Sequence, residues 1–448
     1  MAVENATFAA PRPAAGFEIG LAEVAYVAFL LLIFVGLSPF ATRDLAALAA
    51  GENGTATESG FSGAGDIVRQ IAYLAIFALV AVAAFRRNGL RLAGCISALF
   101  VLLLFWCLLS AYWAPEPGVT FRRAMLATVI VLSAMLSVDT LGAQRSLQLL
   151  RYVLAAVLII NWISIPLIRQ AVHLPGEASP QLVGNWRGLY FHKNITGGVC
   201  ALTAILFFFH FLRTRHLFDF MIFAGAVVFT IMTRSKSSLG LLPVAIAIGC
   251  FYRLAWRRGV DRAIVCVLLL LCAVAAMGLV VYAWGDIVHA LADPNEFTGR
   301  MSIWQGEFAF IHDHPLLGAG FGSFADTGAA SPLHNYVSDV WVQNISHGHN
   351  AYLQLFVTIG GIGFILAMLV FVMQPLREFW RQDGSDVAFK SVLLAIFVFM
   401  LLHNFLESDF LEGDDPSWVI FLLMLAMLHQ SRVLPRAAAI SARRRLAQ

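Results

Sequence analysis

Five basic side chains and a group of histidines stand apart from an otherwise apolar chain. Arg187 and Lys193 sit in Gly184-Asn185-Trp186-Arg187-Gly188-Leu189-Tyr190-Phe191-His192-Lys193-Asn194, Arg234 and Lys236 in Thr233-Arg234-Ser235-Lys236-Ser237-Ser238, and Arg300 in Gly299-Arg300-Met301-Ser302-Ile303-Trp304. The interval from Trp284 to Asn350 is the longest polar stretch, carrying His312 and His314 and closing on His347-Gly348-His349-Asn350. Cations gathered in this way suit an anionic ligand, and histidine is the side chain whose charge changes near neutral pH.

The elements that position these residues are set by composition. At 448 residues, 60% hydrophobic, 13% charged and with a mean hydropathy of +0.78, the chain has too much apolar surface for an ordinary core, so lipid is its solvent. Apolar runs near 21–40, 68–85, 93–113, 121–138, 149–168, 195–212, 217–233, 238–252, 263–283, 350–374, 389–406 and 416–431 predict about 12 spans of ~20 residues. The expected fold is all-α: one polytopic membrane domain, 1–448, a helical bundle with one long periplasmic loop, 284–349. Met1 to Gly20 carries Arg12 as its only basic side chain and lacks the basic start of a secretory signal, so the first run reads as a retained span. All six cysteines fall in or at the ends of apolar segments, which implies neither a disulfide framework nor a zinc site. The net charge of +3 gives no reason to expect a nucleic-acid partner.

Charge asymmetry orients the bundle. With both termini cytoplasmic, about 20 of the 30 Lys and Arg lie on cytoplasmic segments and roughly 18 of the 27 acidic residues face outward, as the positive-inside rule requires. Arg187, Lys193, Arg234, Lys236 and Arg300 then share the outward side, where cations are normally depleted. Singly, Arg187 and Lys193 also read as headgroup anchors beside Trp186 and Tyr190, and Arg234 and Lys236 as snorkelling side chains; together they indicate a site for an anion. Asn350 reads as the cap of the following helix, which leaves His347 and His349 unexplained. Gly318-Ala319-Gly320-Phe321-Gly322 has no strand before it and reads as a turn that lets chains approach closely, not as a nucleotide loop.

In order and spacing, the chain resembles the O-antigen ligase and polymerase family of bacterial inner-membrane proteins. The matching stretches are Ser110-Ala111-Tyr112-Trp113-Ala114-Pro115-Glu116-Pro117 with Arg122-Arg123; Arg187-Gly188 with His192-Lys193-Asn194; Gly299-Arg300 with Trp304; His314-Pro315-Leu316-Leu317-Gly318 to Phe324; and His349-Asn350-Ala351-Tyr352-Leu353-Gln354. The end of the chain, Asn404-Phe405-Leu406-Glu407-Ser408 and Gly413-Asp414-Asp415-Pro416-Ser417-Trp418, looks most like the exopolysaccharide-production polymerases of alphaproteobacteria. The resemblance implies a metal-independent glycosyltransferase without cofactor at the periplasmic face of the inner membrane. Its donor would be a glycan on undecaprenyl diphosphate, its acceptor a glycan or lipid, with membrane lipid and other polysaccharide-export proteins as partners. It further implies that Arg187 and Arg300 hold the diphosphate and that His349 deprotonates the acceptor hydroxyl. Lys193, Arg234 and Lys236 extend the cationic cradle, while His314, Asn350 and His347 stand beside it, and His192, His312, His314 and His347 are the alternate bases. A divalent-metal requirement would instead direct attention to the acids Glu407, Asp409, Glu412, Asp414 and Asp415.

A ligase moving finished glycan onto lipid A-core needs the same chemistry. A secondary transporter is the alternative from another class, but it would carry charged residues mid-span, and the chain offers only Asn161, His210 and His403-Asn404.

Overall fold

The computed structural model describes residues 20–41, 67–88, 95–175, 182–257, 300–325, 327, 330–338, 348–381 and 386–446. Among these the chain is helical, with no strand beyond an isolated antiparallel bridge between Val172 and Trp186. The helices are α1 (Leu21–Phe34), α2 (Ile67–Asn88), α3 (Ala98–Leu109), α4 (Pro117–Leu141), α5 (Ala143–Leu167), α6 (Lys193–Thr214), α7 (Leu217–Thr233), α8 (Lys236–Arg257), α9 (Arg300–Asp313), α10 (Ala351–Met368), α11 (Val387–His403) and α12 (Pro416–Leu446). A π-helical turn, Leu369–Met373, and the short helix Gln374–Phe379 continue α10.

Eleven of these answer to the predicted spans. Six are long and apolar enough to cross a membrane and five are shorter apolar helices. The expected span 263–283 lies outside the described residues, whereas α9, within the stretch expected as loop, is a helix that the sequence reading did not anticipate. Boundaries follow local chemistry. Ser97 and Asp386 cap α3 and α11 by accepting from backbone N–H groups two or three residues on, Pro117 occupies the first turn of α4, and Arg215 and Arg234 end α6 and α7 in the left-handed conformation.

The core centres on α12, whose residues from Pro416 to Leu428 are all buried. A helix apolar on every side suits a place surrounded by other helices, and α4, α5, α6 and α11 pack around it. Small residues allow close approach: a Cβ at Gly197 would meet Ser235 and Ser238 of α8, and one at Gly198 would meet Ser417 of α12.

Hydrogen bonds and an ion pair tie the ends of several apolar helices to the segments between them. Phe40 N, past α1, donates to Leu189 O (2.9 Å); Arg69 of α2 pairs with Asp414; Phe321 N donates to Ser110 Oγ at the end of α3 (2.9 Å); and Thr120 of α4 bonds Ser323. Arg187 N donates to Ala171 O beyond α5 (2.9 Å), Trp186 N to Met232 O of α7 (3.2 Å), and Ala351 N of α10 to Asn404 O beyond α11 (2.9 Å).

The glycine run is used for packing. The Pro315–Ala319 segment docks where Gly360 (φ +65°) breaks α10, with Gly361 N on Pro315 O (2.9 Å) and Ala319 N on Val357 O (2.8 Å). Cβ atoms at Gly318 and Gly360 would lie 2.6 and 2.1 Å from backbone atoms of the facing segment, and both glycines are left-handed, so only glycine fits the crossing. Trp113 Nε1 on Leu317 O (3.2 Å) and Arg123 on Gly322 O tie the same segment to α3 and α4. Several of the resemblance-bearing stretches thus form a structural dock, separate from the polar centre described next.

Candidate active site

The polar centre is built around a carboxylate. Glu407, in the α11–α12 connection, is buried and accepts from three side chains brought by different elements. Asn194 Nδ2 of α6 reaches Oε1 at 2.7 Å, Arg300 Nη2 of α9 reaches Oε1 at 3.1 Å, and His349 Nδ1 pairs with Oε2 at 3.1 Å. Burial pushes the Glu407 carboxyl up, but the His349 hydrogen bond and the charges of His349, Arg300 and His403 outweigh it and hold the group well below the usual carboxylate range. Arg300 also donates from Nη1 to Leu406 O at 2.6 Å, so its planar fork grips one short stretch of chain through two contacts.

Local structure explains why these groups arrive oriented. His349 is left-handed (φ +53°), a conformation that costs a non-glycine residue about 1–2 kcal/mol and persists where neighbours impose it. Trp304 Nε1 holds Gly348 O (2.8 Å), Gly348 N donates to Gln354 Oε1 (3.3 Å), and Ala351 N donates to both Asn404 O and Glu407 O. Asn350 is the cap of α10, its Oδ1 accepting from Tyr352 N and Leu353 N at 3.1 and 3.2 Å. His192 caps α6, its Nδ1 accepting from Asn194 N at 3.2 Å; desolvation pushes it down to about 3, which keeps it neutral.

The expected cations divide into three settings. Arg300 is in the centre. Lys193 stands next to Asn194 and donates from Nζ to Arg234 O (3.3 Å), close enough to Arg234 and Lys236 for the three charges to repel. Arg234 and Lys236 are exposed. Arg187 lies underneath, 1% exposed, with Nε on Gln170 O (2.6 Å) and Nη1 on Ala41 O and Phe191 O (3.2 and 3.0 Å). Its described hydrogen bonds brace the loop that leads into α6. His314 is exposed just past the end of α9, a helix that begins at Arg300; at ~1.5 Å per residue that places it about 20 Å along from the centre. His347 lies outside the described residues.

Glu407 and Asn194 are the central residues that the sequence did not assign. A second buried network adjoins them: His403 Nδ1 pairs with Asp409 Oδ2 (2.8 Å), and Nε2 lies 3.2 Å from Ser238 Oγ. Among the described residues, no three of His, Cys, Asp or Glu converge as a metal-ion group.

Behind His349 lies Glu307 of α9, 1% exposed, its Oε2 without a hydrogen-bond partner and Oε1 2.0 Å from where a Gly348 Cβ would stand. Burial pushes its carboxyl up to about 8 from an ordinary 4.5. A carboxyl with a raised folded-state pKa stabilises most when protonated. That stability is full below about pH 4.5 and is lost as pH rises toward 8, by on the order of a few kcal/mol. Glu307→Gln should therefore gain in melting temperature relative to wild type as pH rises from 5 to 9; a constant difference across that range would mean the group does not titrate there.

Arg234, Lys236, Arg300 and His349 all lie within residues 220–368, which match the family model described as O-antigen ligase. Over that stretch, about a third of its length, the chain is similar to the O-antigen ligase family. That family consists of membrane enzymes of glycosyltransferase-like ligase or polymerase type acting on lipid-linked glycan, and the apolar helices agree with a multi-pass membrane protein of this kind. A comparison with curated proteins finds no match. Glu407, Asn194, Lys193 and Arg187 fall outside the matched O-antigen ligase stretch, and of these Glu407 and Lys193 hydrogen-bond residues within it.

Proposed function

We propose that this protein is a polymerase that extends cell-surface exopolysaccharide by joining repeat units carried on undecaprenyl diphosphate at the periplasmic face of the inner membrane. The observation that carries the reading is the meeting of Arg300 and His349 on one buried carboxylate, beside the cationic group of Lys193, Arg234 and Lys236.

The reaction asks for two things that these residues supply. An acceptor sugar hydroxyl attacks the anomeric carbon of the donor glycan while His349 takes the hydroxyl proton. The carbon–oxygen bond to the carrier breaks, and the electron pair leaves with the diphosphate, whose charge Arg300, Lys193, Arg234 and Lys236 meet from fixed positions. These cations do the work that a divalent ion does elsewhere, so the reading is metal-independent. Arg187 serves by bracing the loop that presents Lys193 and Asn194. Ligation to lipid A-core would use the same chemistry with another acceptor; the resemblance of the 404–418 segment to exopolysaccharide polymerases favours polymerisation.

A deletion strain separates the two. Loss of long chains with single repeat units remaining supports the polymerase, whereas long polymer accumulating on undecaprenyl diphosphate replaces it with a ligase. The sidedness has its own check. An alkaline phosphatase fusion at Ala329 is expected to be active, and an inactive one would place the site face in the cytoplasm.

A further inference from the structure

We infer that Glu407 is the positioning residue that selects which nitrogen of His349 takes the proton, an inference that rests on His349 being the base. Each carboxylate oxygen has its own work. Oε1 is fixed by Asn194 Nδ2 at 2.7 Å and Arg300 Nη2 at 3.1 Å, and this anchorage from two helices leaves Oε2 directed at His349 Nδ1, 3.1 Å away. An ionised carboxylate only accepts hydrogen bonds. Nδ1 must therefore carry the hydrogen, and the basic lone pair of the neutral ring is at Nε2.

The arrangement has a second consequence during the reaction. As the acceptor hydroxyl proton moves to Nε2, the ring becomes an imidazolium, and it forms against a carboxylate already in place. Glu407 stabilises that cation without taking the proton, as the carboxylate of a Ser-His-Asp triad does. Three neighbouring groups among the described residues do not offer this: Arg300 is itself cationic, His192 at the head of α6 is held neutral, and Lys193 next to it repels a cation. Glu307 lies against Gly348, with Oε1 2.0 Å from where a Cβ there would stand. Arg300 then has two tasks, since the guanidinium placed to meet the diphosphate also fixes the oxygen that orients its neighbour's partner.

The test uses the full chain in detergent with a defined undecaprenyl-diphosphate oligosaccharide. Glu407→Gln removes the charge and offers an amide that can donate to Nδ1, which favours the wrong tautomer. The expected result is a fall in kcat of about 10²–10⁴-fold with the donor KM changed less than about threefold, and an acid limb of the pH–rate profile displaced to lower pH because the imidazolium has lost its anion. In a His349→Ala background Glu407→Gln should cost little more. An unmoved acid limb, or a large added loss in the double variant, would overturn the inference while leaving His349 as the base. Near-wild-type turnover by His349→Ala would instead remove the reading beneath it. Wild-type protein provides a check independent of variant folding: ¹⁵N shifts of the His349 ring, assigned by their loss in His349→Gln, should report a neutral form with hydrogen on Nδ1, and hydrogen on Nε2 would refute the assignment.

Discussion

His349→Ala should lower single-turnover glycan transfer by about 10²–10⁴-fold while leaving donor binding and melting temperature close to wild type. A general base contributes to the transition state and little to the ground state, so its loss appears in the chemical step. The stability forecast follows from the fold: the ring is partly exposed, and Gly348, Asn350 and Ala351 hold the local backbone through bonds that do not involve the imidazole. Alanine remains strained at φ +53°, which limits any stability gained from the change. Near-normal turnover would move the base to His347 or to the substrate itself. His314, at the far end of α9, is too distant to inherit the role without a large rearrangement.

The membrane helices were legible because hydrocarbon imposes a length and a composition that few other environments do. Even the short runs near 217–233 and 238–252 proved to be separate helices, α7 and α8, turning at Arg234 and Ser235. α9 was illegible for the converse reason. Its buried residues are Met301, Ile303, Gly306, Glu307 and Phe310, a set with a glycine and a carboxylate in it, so neither a long apolar run nor a clean stripe marks it. Within the polar centre, Arg300 and His349 stood out in the sequence by residue type. Glu407 did not: it is one acid among five between 407 and 415, and its partners are 58, 107 and 213 residues away. Its signals in the sequence were membership of Asn404-Phe405-Leu406-Glu407-Ser408 and of that acidic group, neither of which points to His349 or Arg300. Arg187 is the converse case, since the sequence shows an arginine beside aromatic residues but not that its described hydrogen bonds run to the carbonyls of Gln170, Ala41 and Phe191.

That difference makes the two arginines separable by one conservative change. In Arg300→Lys the charge stays, but a single ammonium on a flexible stem cannot reproduce a fork that spans Leu406 O and Glu407 Oε1. Both the anchorage of Glu407 and the geometry offered to the diphosphate suffer, and loss of one preorganised donor of this kind typically costs ~10²–10³-fold in kcat. Arg187→Lys should act elsewhere. Its guanidinium serves the carbonyls of Gln170, Ala41 and Phe191, and an ammonium placed there leaves buried acceptors under-served at about 1–3 kcal/mol each, so the melting temperature falls while turnover per folded molecule is largely kept. Single-turnover transfer and thermal unfolding of wild type and both variants, each with and without EDTA, measure all of this together. Full activity in Arg300→Lys would sink its part in holding the diphosphate. An Arg187→Lys protein that is stable but inactive would return Arg187 to the ligand. EDTA-sensitive wild-type transfer would mean that the cationic side chains do not suffice, and would turn attention from Arg300 and Lys236 to the carboxylates of the α11–α12 connection.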